Sequence, residues 1–67
     1  MGNNKLKQLR GISKLNQQEV AENIGITTSY YGMIENGVRT PNLIIAYKLA
    51  KFFSSSIEDI FLLNKTT

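Results

Sequence analysis

The sequence contains no cysteine and no histidine. Without cysteine there is neither disulfide nor thiolate, and a reducing, cytoplasmic setting is the expectation. Without histidine the chain lacks the commonest metal ligand and the commonest general base. Its 67 residues hold five Asp/Glu, with no glycine-rich run to cradle a phosphate. No catalytic constellation comes together from these residues, so an enzyme is the least expected class and no metal or cofactor is expected. No stretch approaches the roughly 18–20 uninterrupted apolar residues of a membrane span. Met1-Gly-Asn-Asn lacks the charged-then-apolar layout of a secretory leader. Neither a leader, a membrane partner nor a small-molecule ligand is therefore expected.

What is present suits one small domain, taken as residues 1–67, near the lower end of what folds alone. Eight Lys/Arg against the five carboxylates leave a net charge of +3, which fits a polyanionic partner without proving one. The periodicity predicts five helices and an all-α fold. Leu6, Leu9 and Ile12 recur at helical spacing and place helix one over residues 4–13, with Asn3 or Asn4 as its cap. Gly11 loosens its last turn. Asn16 with Glu19 forms a capping box for a second helix over 17–24, which buries Val20, Ala21 and Ile24 and stops at Gly25. Thr27 caps a third over 28–35, with Tyr31 and Ile34 inward. Asn36-Gly37 ends it, and a loop follows to Pro41, the single proline. Asn42 caps a fourth over 43–53, apolar on more than one face. Ser56 with Asp59 starts a short fifth over 57–61. The end, residues 61–64, reads as a frayed turn or a brief strand.

Residues 17–36 carry the most information. Two helices cross at about 100–120° around a tight turn only if their inner faces are small at the crossing and the turn is free of Cβ clashes. Ala21 and Gly25 meet those two demands, and Val20, Ile24, Ile26, Tyr31 and Ile34 supply the apolar surroundings. An isolated Ala-xxx-Gly would be read as ordinary helix packing. The full set, followed by Ile-Glu-Asn-Gly and Arg-x-Pro, points to a DNA-reading unit.

In these motifs the chain resembles the phage-repressor-type (Xre/Cro-like) helix-turn-helix proteins. The pattern stands at Gln17, Val20, Ala21, Ile24, Gly25, residues 34–37, Arg39, Pro41 and residues 57–61. The resemblance implies a compact four- to five-helix, lambda-repressor-like domain whose third helix enters the major groove. It implies that Gln17, at a helix N-terminus suited to phosphate, clamps the DNA backbone. Thr27, Thr28 and Ser29 open the reading helix, with Thr28 facing base edges and Thr27 serving as cap and backbone contact. Tyr30 lies at the rim within reach of phosphate, and Asn36 and Arg39 form a second clamp. The competing reading of Gln17 and Arg39 is a plain solvated side chain. Arg10 and Glu35 are implied to form a partly buried pair that fixes the third helix, which makes Glu35 scaffold.

The reading face departs from the family in carrying short hydroxyls, with none of the two-pronged grip of Arg on guanine or Gln on adenine. Thymine-methyl contacts, water-mediated readout or DNA shape are the routes left. Gly32 would allow close approach to DNA. Met33 is open between a thymine-methyl contact and a plain surface apolar residue. Lys7 and Lys14 could add electrostatic pull, or be merely solvated.

One reading helix covers too few base pairs for a specific genomic site, so a homodimer on a two-fold double-stranded DNA operator is expected. Surplus apolar residues at Ile45, Phe52, Ile57, Phe61, Leu62 and Leu63 are its expected interface, unless they simply complete a small core. The leading reading is a sequence-specific transcriptional regulator, most often a repressor. The alternative is an antitoxin-like module that binds a partner protein through the same C-terminal surface.

Overall fold

The computed structural model describes residues 4–61. Five helices follow one another: α1 (Leu6–Ser13), α2 (Gln17–Ile24), α3 (Thr28–Glu35), α4 (Leu43–Phe52) and α5 (Ile57–Phe61). The fold is all-α, and no strand occurs among the described residues.

Short polar side chains set most of the helix starts. Asn16 accepts the Glu19 N–H at 2.8 Å while the Glu19 carboxylate accepts the Asn16 N–H at 2.8 Å, which completes the capping box of α2. Thr27 Oγ1 accepts the Tyr30 N–H at 3.0 Å, Asn42 Oδ1 the Ile45 N–H at 2.9 Å, and Ser56 Oγ the Asp59 N–H at 3.0 Å. Each replaces water on a donor that the first helical turn leaves unpaired.

Helix α1 departs from expectation at its start and ends at Ser13 as expected. It begins at Leu6 rather than at residue 4, and Lys5 stands at its cap without a side-chain hydrogen bond. Asn4 still serves the start, because its Oδ1 accepts the Leu6 N–H at 3.0 Å. At the other end Lys14 adopts a left-handed conformation, φ 60°, and its N–H returns to the carbonyls of Arg10 and Gly11. The turn expected to be loose at Gly11 is therefore closed by a proper stop. Ile12 is 71% exposed, because it lies about 120° round the helix from Leu6 and turns away from the core.

The α2–α3 turn rests on Gly25 at φ 90°. Its N–H and that of Ile26 both reach the Ala21 carbonyl, at 2.8 and 3.0 Å. That closure needs the left-handed region, which glycine enters without a Cβ penalty. α3 then packs across α2, and α4 packs on α2 and α5. Leu6, Val20, Ala21, Ile24, Tyr31, Ile34, Leu49, Ala50 and Ile60 form one continuous core. α4 ends one residue earlier than expected, with Phe53 at its cap and Ser54 left-handed at φ 53°. Phe61 is the last residue of α5, so it is helical. Leu62, Leu63 and Asn64 of the expected turn or strand lie outside the described residues. The N-terminal segment is fastened to α5 by a 2.8 Å bond from the Lys5 N–H to the Ile60 carbonyl.

Candidate nucleic-acid interface

The first turn of α3 presents three adjacent hydroxyl side chains, Thr27, Thr28 and Ser29, all exposed. Thr27 spends an acceptor site on its cap, while Thr28 and Ser29 sit exposed on the outer turn. Below them on the same helix, Gly32 and Met33 are half-buried. Thr28 and Gly32 are four residues apart and share one side of α3, with Glu35 following. This side is small and flat at Gly32, where the neighbour is the Gln17 side chain, 3.5 Å from where a Cβ would stand.

Gln17, expected as a backbone clamp, opens α2 but is not directed freely into solvent. It is half-buried, and its Nε2 donates to Glu35 Oε1 at 2.8 Å. The side chain thus crosses from α2 to α3 over Gly32. One hydrogen of the amide remains for another acceptor.

Glu35 is the junction. Arg10 Nε donates to its Oε2 at 2.8 Å and Arg10 Nη2 to its Oε1 at 3.1 Å, a two-pronged pair between α1 and the end of α3. The Tyr31 hydroxyl donates to Oε2 at 2.9 Å. With Gln17, the carboxylate accepts four hydrogen bonds, two on each oxygen, which fills its lone-pair sites. Its side chain is only 1% exposed. Burial works to raise its pKa, but the hydrogen bonds from Arg10, Gln17 and Tyr31 together outweigh burial and hold the carboxyl below its ordinary value. The Glu35 hydrogen bond raises the guanidinium of Arg10 in turn, and burial pushes the Tyr31 phenol up strongly, with Glu35 adding to it. Arg10 also donates through Nη1 to the Leu15 carbonyl at 3.1 Å, which ties the α1–α2 linker to the same centre.

Tyr30 is half-buried and packs against the core. The Arg39 guanidinium lies 5.8 Å from the centre of its ring, within range of a cation–π attraction. The structure therefore brings Tyr30 and Arg39 together at one edge of α3. Asn36 and Arg39 are both exposed in the loop that leaves the helix. Lys7 and Lys14 are exposed on and after α1.

Two contributors escaped the sequence reading. Tyr31 is expected among the apolar surroundings of the turn, whereas its hydroxyl joins the Glu35 cluster. The signal was available, since Tyr31 and Glu35 are four apart on one helix and a buried phenol needs a partner. Asn4 gave none. Its Nδ2 donates to the Ile34 carbonyl, which also accepts the Gly37 N–H, at 3.0 Å and to the Glu35 carbonyl at 3.4 Å, and so reaches the end of α3.

The apolar residues of the C-terminal half divide between core and water. Ile45, Phe52, Ile57 and Phe61 are half-buried and pack against the core. Leu62 and Leu63 fall outside the described residues. The large apolar side chains that α4 leaves in water are Leu43, Ile44 and Tyr47, at 74%, 65% and 56% exposure. Leu43 and Tyr47 are one helical turn apart and wall a groove shared with Ile57 on α5.

Among the described residues no group of three His, Cys, Asp or Glu could hold a metal ion. No described helix is long and apolar enough to cross a membrane.

Comparison with known proteins agrees with this geometry. The helix-turn-helix family model matches residues 6–60, from the first residue of α1 to the core isoleucine of α5. The chain is 42% identical over 59 residues to an uncharacterized HTH-type transcriptional regulator of Methanocaldococcus jannaschii, covering 88% of this chain and 89% of that protein. It is 37% identical over 62 residues to the HTH-type transcriptional regulator YgzD of Bacillus subtilis, covering 92% and 94%. It is 38% identical over 60 residues to the cryptic phage CTXphi transcriptional repressor RstR of Vibrio cholerae, covering 90% of this chain and 54% of RstR. The α2–α3 unit, its braced third helix and these matches together show that the chain belongs to the phage-repressor-type (Xre/Cro-like) helix-turn-helix family of transcriptional regulators.

Proposed function

We propose that the protein is a sequence-specific regulator that binds a two-fold or near-two-fold DNA operator as a homodimer, with α3 in the major groove, and acts as a repressor by occupying a promoter. The observation that carries this reading is the exposed hydroxyl turn at Thr27, Thr28 and Ser29 on a helix braced at its far end by the Arg10–Glu35–Gln17–Tyr31 cluster. A reading helix must hold its angle to within a fraction of a base step, and four charge-assisted bonds to a buried carboxylate supply that rigidity. Gln17, Tyr30, Asn36 and Arg39 flank the turn as phosphate contacts, and Gly32 and Met33 lie on the face that approaches the bases. Repression is supported by the likeness to RstR, itself a transcriptional repressor by name.

The homodimer is best supported through the exposed α4 face of Leu43, Ile44 and Tyr47 together with α5. The same face is what favours the second reading, an antitoxin-like module that docks a partner protein.

Selection of duplexes from a random library, followed by footprinting of the protein's own upstream region, tests the function. The expected outcome is a protected pair of half-sites about one helical turn apart, with binding that survives nonspecific competitor and weakens linearly in log–log with salt. Failure to enrich any duplex, with the protein folded by circular dichroism, would remove the regulator reading and favour the protein-binding one.

A further inference from the structure

Tyr31 is fully buried, yet a phenylalanine would fill the same volume, so its hydroxyl needs its own account. That hydroxyl donates to Glu35 Oε2 at 2.9 Å. The other oxygen of the same carboxylate holds Gln17 Nε2 at 2.8 Å. Arg10 grips both oxygens from α1, through a long side chain that is 18% exposed. The Tyr31 ring is different in kind. It has two torsions, sits among core side chains, and offers a fixed post on the same helix as Glu35. Gln17, by contrast, has a flexible stem that sweeps widely unless something holds its amide.

We propose that Tyr31 is a positioning residue for DNA binding. By fixing the Glu35 carboxylate it holds the Gln17 amide over Gly32, so that one Nε2 hydrogen stays on Glu35 and the other is presented to a backbone phosphate. The clamp is then ordered before DNA arrives, and its ordering entropy is not charged against association. The inference rests on the reading of Gln17 as a phosphate contact.

A double-mutant cycle on a duplex enriched by the wild-type protein tests it, with Tyr31→Phe, Gln17→Ala and the double variant measured at a temperature where all are folded. Tyr31→Phe should weaken DNA binding about three- to tenfold, the range of one lost hydrogen bond. In the Gln17→Ala background the same change should cause no further loss. In the free protein, the Gln17 side-chain amide signals in a proton–nitrogen NMR spectrum should move toward those of a solvated glutamine upon Tyr31→Phe. Additive losses, or amide signals that stay put, would overturn the positioning role. Wild-type binding that Gln17→Ala leaves intact would overturn it while the regulator reading stands. No enrichment of any duplex by the folded wild-type protein would remove both.

Discussion

Glu35 is the one charged residue in the core of the described chain, and its neutralisation is shared among three other side chains. Such a cluster stabilises little when whole but costs heavily when cut, because a stranded buried carboxylate keeps its desolvation penalty. Arg10→Ala should therefore lower stability by about 3 kcal/mol, measured as a fall in the urea midpoint at unchanged slope. A loss below about 1 kcal/mol would mean that Tyr31 and Gln17 suffice. The pH dependence follows from the lowered carboxyl. Glu35 contributes its stability fully above its ordinary value of 4.5, and that contribution disappears as pH falls through the lower folded value. The wild type should accordingly lose more stability between pH 5 and pH 3 than a Glu35→Gln variant, which has no proton to take up there. On DNA, Arg39→Ala should lower the slope of log affinity against log salt by about 1. Gln17→Ala, which removes a neutral donor, should weaken binding without changing that slope.

Helix α3 is held at its start by its own cap and at its end by other elements. Thr27 caps its start, Asn4 occupies carbonyls at its end, and Arg10 and Gln17 hold Glu35 from α1 and α2. Three glycines separate helix stability from reading. Nothing lies within 4 Å of where a Cβ would stand at Gly11, so Gly11→Ala should raise stability by about 0.5–1 kcal/mol through helix propensity and leave DNA binding unchanged. Gly25 has equal room but a φ of +90°. Gly25→Ala should destabilise by about 1–2 kcal/mol despite the open space, because the left-handed turn penalises any Cβ. At Gly32 a methyl would make ordinary contact with Gln17. Gly32→Ala should then stabilise the isolated protein by about 0.5–1 kcal/mol while weakening DNA binding, since the methyl stands on the face proposed to approach the bases. Thermal unfolding and DNA titration of the three variants together check the set. Stronger DNA binding by Gly32→Ala would show that α3 does not approach DNA on that side. The starts of α2 to α5 were legible from their caps, because Asn16, Thr27, Asn42 and Ser56 each act within three residues of their own position. The left-handed stop at Lys14 was not, since lysine carries no local preference for it.

At the scale of the whole molecule, one side carries the α3 turn and another carries the bare apolar face of α4. If that second face joins two copies, Tyr47→Asp should shift the protein to a monomer in sedimentation velocity. Binding to a two-half-site duplex should fall by at least about tenfold, while affinity for an isolated half-site is retained. An unchanged sedimentation coefficient would place the interface elsewhere. The apolar residues of the C-terminal half were countable in the sequence, but their division between core and water was not. Ala46, Leu49 and Ala50 are buried on α4, Ile45 and Phe52 rest against the core, and Leu43, Ile44 and Tyr47 remain outside. α4 is apolar nearly all round, so its periodicity contains no instruction about which side faces inward; that depends on where α2 and α5 lie.

The helices and the family were already written in the order of residues. Caps, the Ala21–Gly25 turn and the spacing of Val20, Ile24, Tyr31 and Ile34 are local signals, read over a few residues, and they specify five helices and a helix-turn-helix unit. What most polar side chains do was set by how the helices meet. Packing turned Gln17 inward onto Glu35, added the Tyr31 hydroxyl to the Arg10–Glu35 pair that the resemblance implied, set Arg39 over Tyr30, and gave Asn4 the end of a helix thirty residues away. Apart from Tyr31, one turn from Glu35 on α3, these groups lie on different elements, and their geometry is fixed by the packing of the apolar core beneath them rather than by any preference of the residues themselves.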